Sequence, residues 1–91
     1  MKVKTKSGFT CEINEHILDD WRFTRAIAKS HSDNADEKMN AAVDMVSLIM
    51  GDNENAFYEH LRAKDERGIV SEDAVVADLV SIISKIKAIK N

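Results

Sequence analysis

From Ser71 to Asn91 the chain carries its largest aliphatic residues in two stripes along what reads as a single helix. Val75, Leu79, Ile82, Ile86 and Ile89 are spaced four, three, four and three apart, the heptad interval at which one helix meets another. Val76, Val80 and Ile83 form a second stripe, turned around the same cylinder. A helix that covers one side of a small core needs only one stripe. Two stripes require burial on two sides, and a chain of 91 residues has few elements to supply the second surface. The spacing therefore predicts that this helix takes part in protein–protein contact, either as a homo-oligomer seam or as part of a docking groove.

The first fourteen residues follow a different period. Val3 and Thr5, then Phe9, Cys11 and Ile13, alternate with polar residues on either side of Ser7-Gly8. Period-two alternation about a glycine turn predicts a β-hairpin. A lone hairpin is marginal in water, so this one is expected to rest on helices or pair with another chain.

Helical signals fill the remainder, and no proline interrupts them. Asn14 offers an N-cap for a first helix over Glu15–Ser30, with Ile17, Leu18, Trp21 and Ala28 on its main face and Phe23 and Ile27 beside them. The polar stretch His31–Asn34 ends it. A second helix, Ala35–Met50, repeats Met39, Ala42, Val43, Val46, Ile49 and Met50 at helical spacing, with Ala41, Met45 and Leu48 widening the apolar side. Gly51 is placed to close it. A third, mostly polar helix is expected over Glu54–Arg67, carrying Phe57, Tyr58 and Leu61 and ended by Gly68. Ser71, followed by Glu72 and Asp73, caps the last. The expected fold is α+β but mainly α: one domain over residues 1–91, with a hairpin over 1–14 and about four helices over 15–91.

Residues capable of chemistry are sparse. His16, His31 and His60 stand at no mutual i, i+3 or i, i+4 spacing, and neither HExxH nor CxxC occurs. Zinc needs three or four converging protein ligands, so no metal site is expected. Cys11 shares a strand face with Phe9 and Ile13 and reads as a core thiol rather than a nucleophile. Asp33, Asp36 and Glu37 lack the calcium-loop spacing and its central glycine, and read as cap and first-turn charges. No phosphate-binding glycine loop or nucleophile elbow is present. No catalytic residue, cofactor or enzymatic activity is expected.

The charges exclude other classes. Thirteen basic residues are interleaved with sixteen acidic ones, for a net charge of −3. Aromatic residues make up only 5%, too few for a base-stacking platform, and no basic footprint for nucleic acid stands out. Lys85, Lys87 and Lys90 suit the negative end of the last helix dipole. No apolar run reaches the roughly 20 residues of a membrane span. A lone cysteine without a signal peptide points to a reducing cytoplasm. What is left is protein binding. Val75, Leu79, Ile82, Ile86 and Ile89 are the candidate contact residues, joined by Met39 and Met45, which read first as plain packing and second as part of an adaptable binding groove. Trp21 reads first as a core anchor with Ile17 and Leu18, and second as an interface hot spot.

Several segments in order carry a resemblance. These are the opening strands, Ile17-Leu18-Asp19-Asp20-Trp21, the helix end Leu48-Ile49-Met50-Gly51, then Phe57-Tyr58-Glu59-His60-Leu61-Arg62, the crossing Gly68-Ile69-Val70-Ser71, and the closing Lys87 to Asn91. Over nearly its whole length the chain resembles the small tail assembly chaperones of long-tailed phages and prophages of Gram-positive bacteria. The resemblance implies a non-catalytic protein of the host-cell cytoplasm. It would bind the tape measure protein, keep that long helical chain soluble during tail assembly, and meet the tail tube protein as a further partner. Members of the family are often also made as a longer product by translational frameshifting. The alternative is a homo-oligomeric adaptor or regulator of a mobile element, with the last helix as its dimer seam.

Overall fold

The computed structural model describes residues 1–90. Asn91, the last residue of the expected final helix, and the side chain of Lys90 lie outside the described residues. The chain is mainly helical, opening with an antiparallel hairpin, β1 (Lys2–Lys4) and β2 (Thr10–Glu12). Val3 pairs with Cys11 across it, and both are buried, while Lys2, Lys4, Thr10 and Glu12 face out, as the alternation requires. Met1 and Ile13 continue the ladder, each donating its nitrogen to the other's carbonyl at 2.8 Å. The turn is closed by Thr5, whose carbonyl accepts from the Gly8 nitrogen at 2.9 Å, with Gly8 at φ 95° where a side chain would be strained.

Among the described residues the α-helices are α1 (Trp21–Ser30), α2 (Ala35–Met50), α3 (Glu54–Lys64) and α4 (Glu72–Lys90). Helix α2 runs over the expected residues. The Asn34 side chain accepts from the nitrogens of Asp36 and Glu37, and Gly51 ends the helix at φ 51°. A single 3₁₀ turn, Gly51–Asn53, leads directly into α3.

Two boundaries depart from expectation for one shared reason. The first helix does not start near Glu15. Ile17–Asp19 form a short 3₁₀ turn, Asp20 is extended, and α1 begins at Trp21. The third helix does not reach Arg67 but stops at Lys64, where Asp65 is extended. At each place an aspartate is followed two residues later by an arginine. Asp20 accepts from the Arg22 nitrogen at 2.8 Å and from its guanidinium at 3.0 and 2.7 Å. Asp65 holds Arg67 in the same way, at 2.7, 3.2 and 3.0 Å. A carboxylate that gathers the backbone and side chain of residue i+2 competes with helical hydrogen bonding and sets a boundary. Gly68 therefore closes a turn with Asp65, not the helix itself.

The later start of α1 changes its buried face. Phe23 and Ala26 are buried and Ile27 is half-buried, whereas Ala28 is exposed and Trp21, expected as a core anchor, is 76% exposed. The core gathers Val3, Cys11 and Ile13 from the hairpin, Ile17, Phe23 of α1, Val46, Ile49 and Met50 of α2, Phe57 and Leu61 of α3, and Leu79, Ile82 and Ile86 of α4. The hairpin thus rests on the helices. Phe9 packs its ring on Phe57 at 5.5 Å, and the Lys85 ammonium donates to the Lys4 carbonyl.

Candidate protein-docking groove

The two stripes of α4 have different fates. Leu79, Ile82 and Ile86 of the first stripe lie in the chain's own core, Ile82 with no exposed surface at all. They are not open to a partner while α4 stays folded on the core, because the hairpin and the other helices already cover them. Val75 is half-buried and Ile89 is 60% exposed, so only the ends of the seam reach solvent. In the second stripe Val76 and Val80 are exposed and Ile83 is half-buried.

Val76 does not stand alone. It lines an apolar groove of about 580 Å³ together with Val75, with Ala42, Met39, Val43 and Val46 of α2, and with Tyr58 of α3. Lys38 and Glu72 are the charged groups in its lining. Met39 is 58% exposed and Val43 is similarly open. Of the residues expected to bind a partner, the structure brings Met39 and Val75 together here. Met45 is half-buried against the core and does not line the groove. Val43 and Val76, which complete it, were legible only as helix-face residues.

Tyr58 forms part of the groove wall, and its hydroxyl donates to Glu54 Oε2 at 2.8 Å. Burial, followed by this hydrogen bond and the Glu54 charge, pushes the phenol up to about 12. Cys11 faces the core, where burial first and the nearby Glu12 charge second raise its thiol above the ordinary range. A raised pKa holds the sulfur as the unreactive thiol. Among the described residues no three His, Cys, Asp or Glu side chains gather as metal ligands, and no helix is long and apolar enough to cross a membrane.

A polar cluster that no spacing rule had flagged joins Ser7, His60 and Asp78. Asp78 is 1% exposed and accepts from the Ser7 nitrogen at 2.9 Å and the Ser7 hydroxyl at 2.5 Å. His60 Nε2 lies 3.1 Å from Ser7 Oγ and 3.2 Å from the Ser7 carbonyl, to which Lys64 also donates at 2.6 Å. These are the residue types of a hydrolytic triad in the wrong order. In a triad the histidine takes the serine proton and the carboxylate orients the histidine. Here the serine proton already goes to the carboxylate. The carbonyl can only accept, so Nε2 carries a hydrogen and is no base toward the hydroxyl. The cluster clamps the hairpin turn to α3 and α4.

A smaller cleft of about 300 Å³ lies between α1 and α2. Trp21, Arg22, Arg25 and Lys29 form one side, Asp44, Ser47 and Leu48 the other. Comparison with protein-family models, with curated proteins and with solved structures returns no match.

Proposed function

We propose that this chain is a phage or prophage tail assembly chaperone, a non-catalytic protein of the host-cell cytoplasm that binds the tape measure protein and keeps it soluble while the tail tube is built. The observation that carries this reading is the groove between α2 and α4, where Met39, Val43 and Val76 stand open to solvent on two adjoining helices. Neighbouring apolar residues left open on rigid elements mark a place for a partner rather than scattered surface. A groove between helices suits an amphipathic helix that lays its apolar face into it. Burying the exposed half of each of the three side chains contributes roughly 1 kcal/mol apiece. The resemblance in the opening strands, the Phe57–Arg62 segment and the Gly68–Ser71 crossing supplies the identity of the partner. The reading as a homo-oligomeric adaptor had rested on the first stripe of α4, and self-association through that stripe would require α4 to leave the core.

Co-expression with the tape measure protein of the same phage or prophage tests the proposal. The tape measure protein should move from the insoluble to the soluble fraction with this chain present, and return to the insoluble fraction with Met39→Asp or Val76→Asp. Calorimetry should show a negative heat-capacity change on binding, the mark of apolar burial. Affinity should hold between low and moderate salt, because screening acts mainly on exposed charges. An unchanged insoluble fraction, or binding that both Asp variants leave intact, overturns the proposal.

A further inference from the structure

The α1–α2 cleft differs in character from the groove on the other flank of α2. Trp21, Arg25 and Lys29 follow one another at intervals of four, so they stand in one row along α1, with Arg22 beside it. Across from them α2 turns Asp44 and Leu48 toward the cleft, whereas Met39 and Val43 line the groove. The charged groups of the cleft lining are three cations and one carboxylate, in a chain whose net charge is −3. Two of these cations are already answered within the chain. Arg22 is held by Asp20 at 2.7 Å, and Lys29 meets Asp44 at 3.9 Å. Arg25 is exposed and has no hydrogen-bond or ion-pair partner among the described residues. One turn before it the Trp21 indole stands 76% exposed. The cleft therefore sets one unanswered guanidinium next to one open indole.

Those two groups set the chemistry of an occupant. A guanidinium without a partner takes a carboxylate, and its fork can hold both oxygens. An indole left in water gains from apolar cover. How open the cleft is decides the form of the occupant. A small-molecule site encloses most of its ligand and runs from about 300 Å³ upward. This cleft stands at that lower limit, about 300 Å³, and of the side chains that line it only Ala26 is buried. It cannot enclose a free molecule, but it can receive side chains that project from a protein. We infer that the α1–α2 cleft docks a segment of another protein that presents an apolar side chain and, one helical turn away, an aspartate or glutamate. The apolar side chain covers Trp21, and the carboxylate meets Arg25 about 6 Å further along α1. Tryptophan and arginine are residues in which interface binding energy concentrates. The contact lies apart from the α2–α4 groove and does not depend on how that groove is read.

Trp21 is the only tryptophan, so its emission reports on the cleft in the full chain. The probe is a blocked helical peptide with leucine and glutamate four residues apart, set against its glutamine and lysine counterparts and against free isovalerate, a small carboxylate with an apolar body. The glutamate peptide should shift the emission to the blue as the indole leaves water. The glutamine peptide should bind several-fold more weakly, and the lysine peptide and isovalerate should leave the emission unchanged. Arg25→Glu turns attraction into repulsion and should weaken binding of the glutamate peptide about tenfold. Moderate salt should weaken it as well. Trp21→Ala should abolish binding, read from the anisotropy of a labelled peptide. Both side chains are exposed, so both variants should stay folded. An emission unshifted at millimolar glutamate peptide overturns the inference, as do equal affinities for the three peptides. A blue shift with isovalerate alone would give the cleft to a free small anion. Mass that rises with concentration for the free chain, and returns to the monomer in Arg25→Glu, would give it to a second copy. Either result overturns a segment of another protein as the occupant.

Discussion

Replacing Ile82 by alanine separates the two stripes of α4 more sharply than any other change. Ile82 has no exposed surface and packs in the cluster that joins the hairpin, α2, α3 and α4. Truncating a buried isoleucine to alanine removes transfer energy and leaves a cavity, for a cost of about 2–5 kcal/mol. A domain of this size has roughly 5–14 kcal/mol in total, at 0.05–0.15 kcal/mol per residue. Ile82→Ala should therefore remove roughly a third of the stability and lower the melting temperature by at least about 10 °C. Val80→Ala, two residues away on the same helix, should stay within about 0.5 kcal/mol because Val80 is already 57% exposed. Urea unfolding followed by far-ultraviolet circular dichroism reads both, and the slope against urea should be unchanged if only the midpoint moves. Equal midpoint shifts for the two variants would refute the assignment of the first stripe to the core. So would an Ile82→Ala effect that shrinks with dilution, since stability that depends on protein concentration belongs to an interface between chains.

Asp78→Ala should cost about 2–4 kcal/mol, because the Ser7 nitrogen and hydroxyl lose their acceptor in a buried place. Asp78→Asn should cost less, as its carbonyl oxygen still accepts from the nitrogen; unchanged amide exchange from Ser7 to Phe9 in the alanine variant would show that the clamp holds nothing. Tyr58 is the only tyrosine, so phenolate absorbance reports on it alone. Its folded pKa of about 12 stands above the ordinary 10.0, so the stability it contributes is complete below pH 10 and is lost as pH rises toward 12. A native-state midpoint near 10 would show the phenol to be open to water and free of Glu54.

Much of the fold was legible because its signals are local and strong. Alternation about Ser7-Gly8 specifies the hairpin, and α2 begins after Asn34 and ends at Gly51 as their capping chemistry dictates. The boundaries that were misread both lie at an aspartate two residues before an arginine, Asp20-Trp21-Arg22 and Asp65-Glu66-Arg67. Each looks like ordinary helical charge until the carboxylate is seen to hold the following backbone nitrogen and guanidinium together. That spacing is the signal which would have placed both. Its consequence reaches the site, since starting α1 at Trp21 turns the indole out of the core. The clamp of Ser7, His60 and Asp78 was not legible at all, because 53 residues separate Ser7 from His60 and 71 separate it from Asp78, and only packing brings them together.

The heptad stripe points to a lesson about small helical chains. Spacing of three and four shows that a helix face meets another apolar surface, but not whose surface it is. In a long helix with nothing else nearby, that surface belongs to another chain. Here α4 shares one core with residues of the hairpin and of the other helices, and these supply the surface for Leu79, Ile82 and Ile86. The surface left for a partner is decided by subtraction, as the apolar residues that the intrachain core does not reach. On α4 these are Val76, Val80 and Ile89, and on α2 Met39 and Val43. On α4 Val76 and Val80 are each displaced by one position from Val75 and Leu79, whereas on α2 Met39 and Val43 continue the row of the buried Val46 and Met50 toward the open end of the helix, so one helical pattern serves both purposes. The same division separates the effects of mutation: changes at the buried positions act on stability at every concentration, and changes at the open positions act only when an occupant is present.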